Sequence, residues 1–184
     1  MSTPVLIGVG VALALTVLIG VAYNGLVKRR NRVDSTWSDI DVLLRRRHDL
    51  IPNLVVAVSG YAGHESSVLR GTAEARSAAM TATGPAARGD AESTLGSDLK
   101  TVLAVAEAYP ALKASASFVE LQQQLAATEN GLEHARQFYN DSVFGYNNAI
   151  QTLPRSIVAA AFGFRSRQFF QAASAERAST QVRL

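Results

Sequence analysis

Residues 4–23 read PVLIGVGVALALTVLIGVAY and carry no charged side chain. About 20 such residues, at 1.5 Å of rise each, cover the ~30 Å hydrocarbon layer of a bilayer. A cleaved secretory signal has a basic leader, a shorter apolar run and a small-residue cleavage site. Here no Lys or Arg precedes Pro4, and Tyr23-Asn24-Gly25 is a poor cleavage site. Residues 1–23 are therefore expected to form a single-pass transmembrane anchor. Lys28, Arg29, Arg30 and Arg32 follow it closely, with nothing comparable before it. The positive-inside rule then expects the N-terminus outside and the rest in the cytoplasm. Gly8/Ala12 and Gly10/Ala14 are small-xxx-small pairs, a face on which two such helices can pack closely in lipid.

Working outward, Val33, Trp37, Ile40, Leu44, Arg47, Ile51, Leu54, Val58 and Tyr61 recur at alternating steps of four and three. All but Arg47 are apolar or aromatic, the pattern of a heptad seam. Leu26 and Arg30 carry it back toward the anchor, so the anchor is expected to continue into a long helix. Pro52 should bend that helix or open a local turn, and Gly60 and Gly63 should end it. A second helix is expected from His64 to about Thr83, with Val68, Leu69, Ala73, Arg76 and Met80 near one face. Thr83-Gly84-Pro85 and Gly89-Asp90 read as a turn. The third helix is then expected over about 91–108, with Leu95, Leu99, Val102, Ala106 and Tyr109 as its buried stripe. Ser117 and Glu120 fit a capping box opening the fourth helix. Phe118, Leu125, Leu132, Tyr139, Tyr146 and Leu153 then recur every seven residues, with mostly small residues in the companion row.

The fold class is all-α: an N-terminal transmembrane helix continuing into an antiparallel four-helix bundle, plus a short C-terminal amphipathic segment. The expected divisions are 1–23 anchor, 24–154 bundle, 155–170 membrane-proximal segment and 171–184 flexible polar tail. The first and fourth soluble helices each span roughly 55 Å, and the middle two about half that. The membrane-proximal half of the long pair would be under-covered, so a homo-oligomer or a second membrane protein is expected there. In the 155–170 segment, Arg155, Ile157, Phe162, Phe164, Arg165, Arg167, Phe169 and Phe170 mix apolar and basic side chains. Such a segment either lies in the lipid headgroup region or forms a short helix packed on the bundle.

The full chain has 184 residues, a net charge of +3 and no cysteine, which excludes disulfides, thiolate metal sites and a thiol nucleophile. His48, His64 and His134 have no metal-ligand spacing, and neither a phosphate loop nor a Gly-x-Ser-x-Gly elbow occurs. No cofactor, metal or catalytic residue is expected. Tyr139-Asn140 and Tyr146-Asn147 repeat on the core seam and read as packing, and no exposed aromatic-basic interleaving in the bundle points to nucleic acid. Arg47 alone breaks the apolar seam and needs a partner. It lies about 23 residues from the start of its soluble helix, and Glu129 lies about 24 from the end of the fourth, so at 1.5 Å per residue they share a level. Asp49, Asn53, Arg136 and Asn140 could extend this polar layer, whose expected role is to fix bundle register rather than to bind a ligand.

Several stretches resemble the LemA family: Tyr23-Asn24, Arg47-His48-Asp49-Leu50-Ile51-Pro52-Asn53-Leu54, Gly60-Tyr61-Ala62-Gly63-His64-Glu65, Thr128-Glu129-Asn130, Ala135-Arg136-Gln137-Phe138-Tyr139-Asn140 and Tyr146-Asn147. Leu153-Pro154 and Phe162-Gly163-Phe164 match as well. The resemblance runs to about Phe170 and implies a membrane-anchored antiparallel helical bundle without established enzymatic chemistry. Magnetosome proteins similar to this family are associated with membrane formation. One departure is His48, where the family commonly shows Tyr. The expected function is a non-enzymatic membrane scaffold that self-associates at the cytoplasmic face and organises or shapes the membrane. The alternative is an adaptor or sensor for another membrane complex, such as a protease or signalling protein.

Overall fold

The apolar seam and the uncharged stretch belong to one uninterrupted helix. In a computed structural model, which describes residues 3–62 and 65–170, α1 runs Thr3–Ser59 and passes through Pro52 without a break. The expected local turn at Pro52 does not form. The other helices are α2 Ser66–Thr81, α3 Pro85–Glu107, α4 Pro110–Lys113, α5 Ala116–Gln151 and α6 Arg155–Ala161. The described residues contain helices and turns only. His64 and the tail expected to be flexible, 171–184, lie outside the described residues.

α3 begins earlier than its pattern suggests. Pro85 takes the first helical position, where its missing N–H costs nothing. Gly84 precedes it at φ +84°, a conformation that L side chains rarely adopt. Gly89 and Asp90, expected in the turn, are thus helical, and Gly89 is buried. α5 also begins early. Ser117 lies inside the first turn rather than at the cap, and its hydroxyl is 2.9 Å from that of Ser115.

The chain divides into two units. Among the described residues, one comprises 39–137 with 168–170. Its core joins Ile51, Leu54 and Val58 of α1 to Leu69 and Ala79 of α2, and to Leu95, Leu99 and Val102 of α3. Leu112 of α4 and Phe118, Leu121 and Leu125 of α5 complete it. At Gly131, an added Cβ would lie 3.3 Å from Leu43, so the missing side chain admits α1 closely. The predicted α2 stripe is rotated: Leu69, Thr72 and Ala79 are buried, while Met80 is exposed. Tyr61 is exposed as well, because α1 ends before it.

The other unit comprises the residues up to Ser38 with Phe138–Arg167. Ala22 and Leu26 of α1 pack with Ala149 of α5 and with Val158 and Ala159 of α6. Trp37 meets Tyr139, with ring centroids 5.3 Å apart. Leu153, expected on the buried seam, is exposed, since α5 ends at Gln151.

Candidate functional site

The densest polar chemistry among the described residues surrounds Arg47. Its seam position on α1 places a guanidinium in an apolar setting, with 1% of the side chain exposed. Nη1 donates to Glu129 Oε1 at 2.7 Å. Nη2 pairs with Glu92 Oε2 and also donates to the Glu92 carbonyl at 3.2 Å. Glu92 is fully buried, whereas 43% of the Glu129 side chain is exposed. Glu92 Oε1 stands 2.8 Å from His48 Nε2. A carboxylate paired with Arg47 only accepts, so His48 holds its proton on Nε2 and donates. Arg76 of α2 donates from Nε to the His48 carbonyl at 2.8 Å. Burial, then the positive charges of Arg47, Arg76 and Arg88, push the His48 imidazole down to about 4; Asp49 opposes them. His48 is thus neutral at neutral pH. On a neighbouring stretch, Arg88 donates to Asp41 at 2.9 Å, and Asp41 also pairs with Arg45.

Arg47 and Glu129, predicted as one layer, are bonded directly. Asp49 and Asn53 are not part of it. Both are exposed, because the neighbours of a seam residue on a helix point well away from it. Arg136 instead stacks its guanidinium over Phe170, 5.0 Å from the ring centroid. Asn140 is half-buried and belongs to the unit that contains the apolar stretch. Sequence reasoning missed Glu92. It lies three residues before Leu95, inside the expected helix, and continues the buried stripe of α3 by one helical step.

In the unit with the apolar stretch, the C-terminal segment is strapped down. After α6, Gly163 adopts φ +71°, and the Phe164 N–H bonds back to the Ala159 carbonyl at 2.9 Å. This reversal returns Phe164 to the Tyr23 ring, with centroids 5.7 Å apart, and the Arg30 guanidinium lies over the Phe164 ring, 5.6 Å from its centroid. The Tyr146 hydroxyl donates to the Arg165 carbonyl at 3.0 Å. Asn147 clamps the Arg167 backbone, donating from Nδ2 at 2.9 Å and accepting at Oδ1 at 2.8 Å. Arg167 pairs with Asp34 at 3.1 Å. Burial raises the Tyr139 and Tyr146 phenols above their ordinary value, with Arg167 opposing.

Two of the predicted membrane-contact residues are thereby corrected. Phe170 is buried, and Phe164 is half-buried against Tyr23. Ile157 and Phe162 are exposed, as are Arg155, Arg165, Arg167 and Phe169. Gly8, Gly10, Ala12 and Ala14 all lie on the exposed surface of α1. Among the described residues, shallow surface depressions of about 300 Å³ include one lined by Ser67, Gly71 and Asp98 and another lined by Asn53, Glu120 and Gln124. Among the described residues, no group of three His, Asp or Glu side chains is placed to hold a metal ion. Among the described residues, one helix, α1, is long and apolar enough to cross a membrane by length and composition.

Comparison with known proteins adds a family. A family model described as LemA family matches residues 36–184. Magnetosome protein MamQ 2 of Paramagnetospirillum magneticum is 25% identical over 175 residues, covering 81% of this chain. Magnetosome protein MamQ of Magnetospirillum gryphiswaldense is 25% identical over 174 residues, covering 80%. The chain spans 64% of the length of each of these relatives.

Proposed function

The chain belongs to the LemA family, and from that premise we propose that it is a non-enzymatic, membrane-anchored helical scaffold. α1 crosses the bacterial inner membrane with its N-terminus outside, the orientation favoured by Lys28, Arg29, Arg30 and Arg32. The part of α1 beyond the span and the helices that follow form an antiparallel four-helix bundle at the cytoplasmic face, its register fixed by Arg47, Glu92 and Glu129. The chain self-associates there and organises the membrane.

One observation carries the self-association. Phe138 and Phe144 of α5 are both largely exposed, in the unit that also holds the apolar stretch. Their rings stand about 120° apart around α5, at 3.6 residues per turn, and each is an exposed aromatic surface that suits contact with another protein. The occupant is a second copy of the chain. Two relatives are named magnetosome proteins, which supports work at a membrane for the shared part of the chain.

The test is the particle mass of full-length protein extracted directly into lipid nanodiscs, by mass photometry. A homo-oligomer well above one 19.6 kDa protomer is expected. Replacing Phe138 and Phe144 with Ser should shift the population to monomers. A monomeric native protein, or a mass explained by a second protein species, refutes self-association.

A further inference from the structure

α6 has an unusual composition for a surface helix. From Ser156 to Phe164 no residue is charged. One side of the helix, Val158 and Ala159, is buried against Ala22 and Leu26 of α1 and Ala149 of α5. The opposite side is also apolar and faces outward. Ile157 is 65% exposed, and Leu153, just before the helix, is 76% exposed. Ala160, Ala161 and Phe162 continue this outward surface. A helix that is apolar all round needs a second apolar medium on its free side.

Its position says what that medium is. Ala22, the residue α6 covers, lies in the last turn of the uncharged stretch 4–23. α6 therefore packs at the level where that stretch gives way to Lys28 and Arg29. The exposed side chains of Val17, Leu18 and Val21 continue the same apolar character on α1 itself. Tyr23 and Phe162, with ring centroids 5.0 Å apart, are the aromatic pair expected at a membrane–water boundary. Arg155 and Arg165 are exposed on either side of the apolar run, and basic side chains outnumber Asp34 and Asp141 in this unit. That balance suits anionic headgroups.

We infer that α6 and its flanks form a second membrane contact, in which Leu153, Ile157 and Phe162 sit in the headgroup–acyl boundary of an anionic bilayer. The inference rests on the reading that α1 spans the membrane. It gives the chain two lipid contacts, the span and a re-entering shoulder clamped beside it through Tyr146 and Asn147. Burial of such a helix by about 5–10 Å below the headgroup level is the ordinary depth for an interfacial segment.

The chain has no cysteine, so one reporter can be placed at a time. Nitroxide labels go on Ile157→Cys, Leu153→Cys, mid-span Val11→Cys and α4 Lys113→Cys, each in the full chain in phosphatidylcholine/phosphatidylglycerol nanodiscs. Collision with oxygen is compared with collision with a water-soluble nickel chelate. At positions 157 and 153 the oxygen-to-nickel ratio is expected to exceed that at 113 several-fold and approach that at 11. A ratio equal to that at 113, with position 11 still lipid-like, overturns the shoulder contact and leaves the span intact. Low collision with both agents and spin–spin broadening overturns it in favour of a second copy of the chain. A water-like signal at position 11 removes the spanning reading and the shoulder with it. Leu153 is the safeguard against misfolding at 157, since it is the more exposed of the two.

Discussion

Replacing Glu92 is expected to cost far more stability than replacing Glu129, although both carboxylates bond Arg47. The difference follows from burial. Glu92 is fully buried and serves both Arg47 and His48, whereas Glu129 is 43% exposed. Glu92→Gln keeps the side-chain shape but removes the charge that balances a guanidinium only 1% exposed. Breaking one side of a buried ion pair costs about 3–5 kcal/mol. Because Gln keeps one accepting oxygen and Glu129 stays in place, the lower end, about 3 kcal/mol, applies. Glu129→Gln breaks a partly solvated pair and should cost no more than about 1 kcal/mol. For a unit of about 100 residues these translate to a fall of at least about 12 °C and at most about 8 °C in melting midpoint. Arg47→Met alone strands Glu92 and should resemble the larger loss. Arg47→Met with Glu92→Leu removes both buried charges and should recover at least half of it, since apolar replacement of a buried pair is often neutral. The assay is thermal and urea unfolding of the full chain in detergent micelles, followed by far-UV circular dichroism. Equal losses for the Gln variants at 92 and 129, or a double variant worse than Arg47→Met, would refute the assignment of Glu92 as the energetic partner.

Two further predictions concern the same elements. The His48 imidazole is lowered from 6.5 to about 4 by burial and neighbouring guanidinium groups, so the unfolded chain binds the proton more readily. Its contribution to stability is complete above pH 6.5 and is lost as pH falls toward 4, a change of about 3 kcal/mol. Unfolding midpoints across that window should show this slope, and His48→Tyr should flatten it; an unchanged slope in the variant removes His48 as its source. Asn147→Ala deletes both bonds to the Arg167 backbone and should weaken the strap by about 1–2 kcal/mol. Tryptic cleavage after Arg165 or Arg167 should then accelerate, and an unaltered cleavage rate would show that Asn147 does not hold the segment.

Period and charge made much of this fold legible. The uncharged run 4–23 and the four–three seam from Val33 to Val58 specify one long helix, and the seven-residue row from Phe118 to Tyr146 specifies another. Errors gathered where a pattern was carried past a helix end or a helix was started late. Tyr61 and Leu153 keep the period but fall beyond α1 and α5, so the described helices leave them exposed. Gly89-Asp90 looked like a turn because Gly is a poor helix former, but Pro85 had already fixed the first turn of α3. Glu92 falls inside the expected helix, three residues before Leu95, but the stripe was read only from Leu95 onward, which passed over the deepest partner of Arg47. The placing of Arg47 and Glu129 at one level needed only helix rise. The division of Phe162, Phe164, Phe169 and Phe170 between outside and inside did not follow from composition. For the first pair it depends on the reversal at Gly163, which brings both rings to Tyr23 but leaves Phe162 the more exposed of the two.

The buried cluster also bears on how a long repetitive seam chooses one alignment. Ile40, Leu44, Ile51, Leu54 and Val58 are similar enough that sliding α1 by one heptad would keep most of its apolar burial. Such a slide moves the helix by about 10 Å along its axis. Arg47 would then leave Glu92, Glu129 and the Glu92 carbonyl together, and an apolar side chain would face two carboxylates, one of them fully buried. Each stranded charge is penalised by several kcal/mol, more than one exchanged aliphatic contact can offset. His48 adds direction to this selection. It meets Glu92 through Nε2 while its carbonyl receives Arg76 of α2, so the same turn of α1 is fixed against α2 and α3 at once. An apolar residue at Arg47 would pack as well in several alignments, whereas the two terminal nitrogens of the guanidinium meet both carboxylates in one.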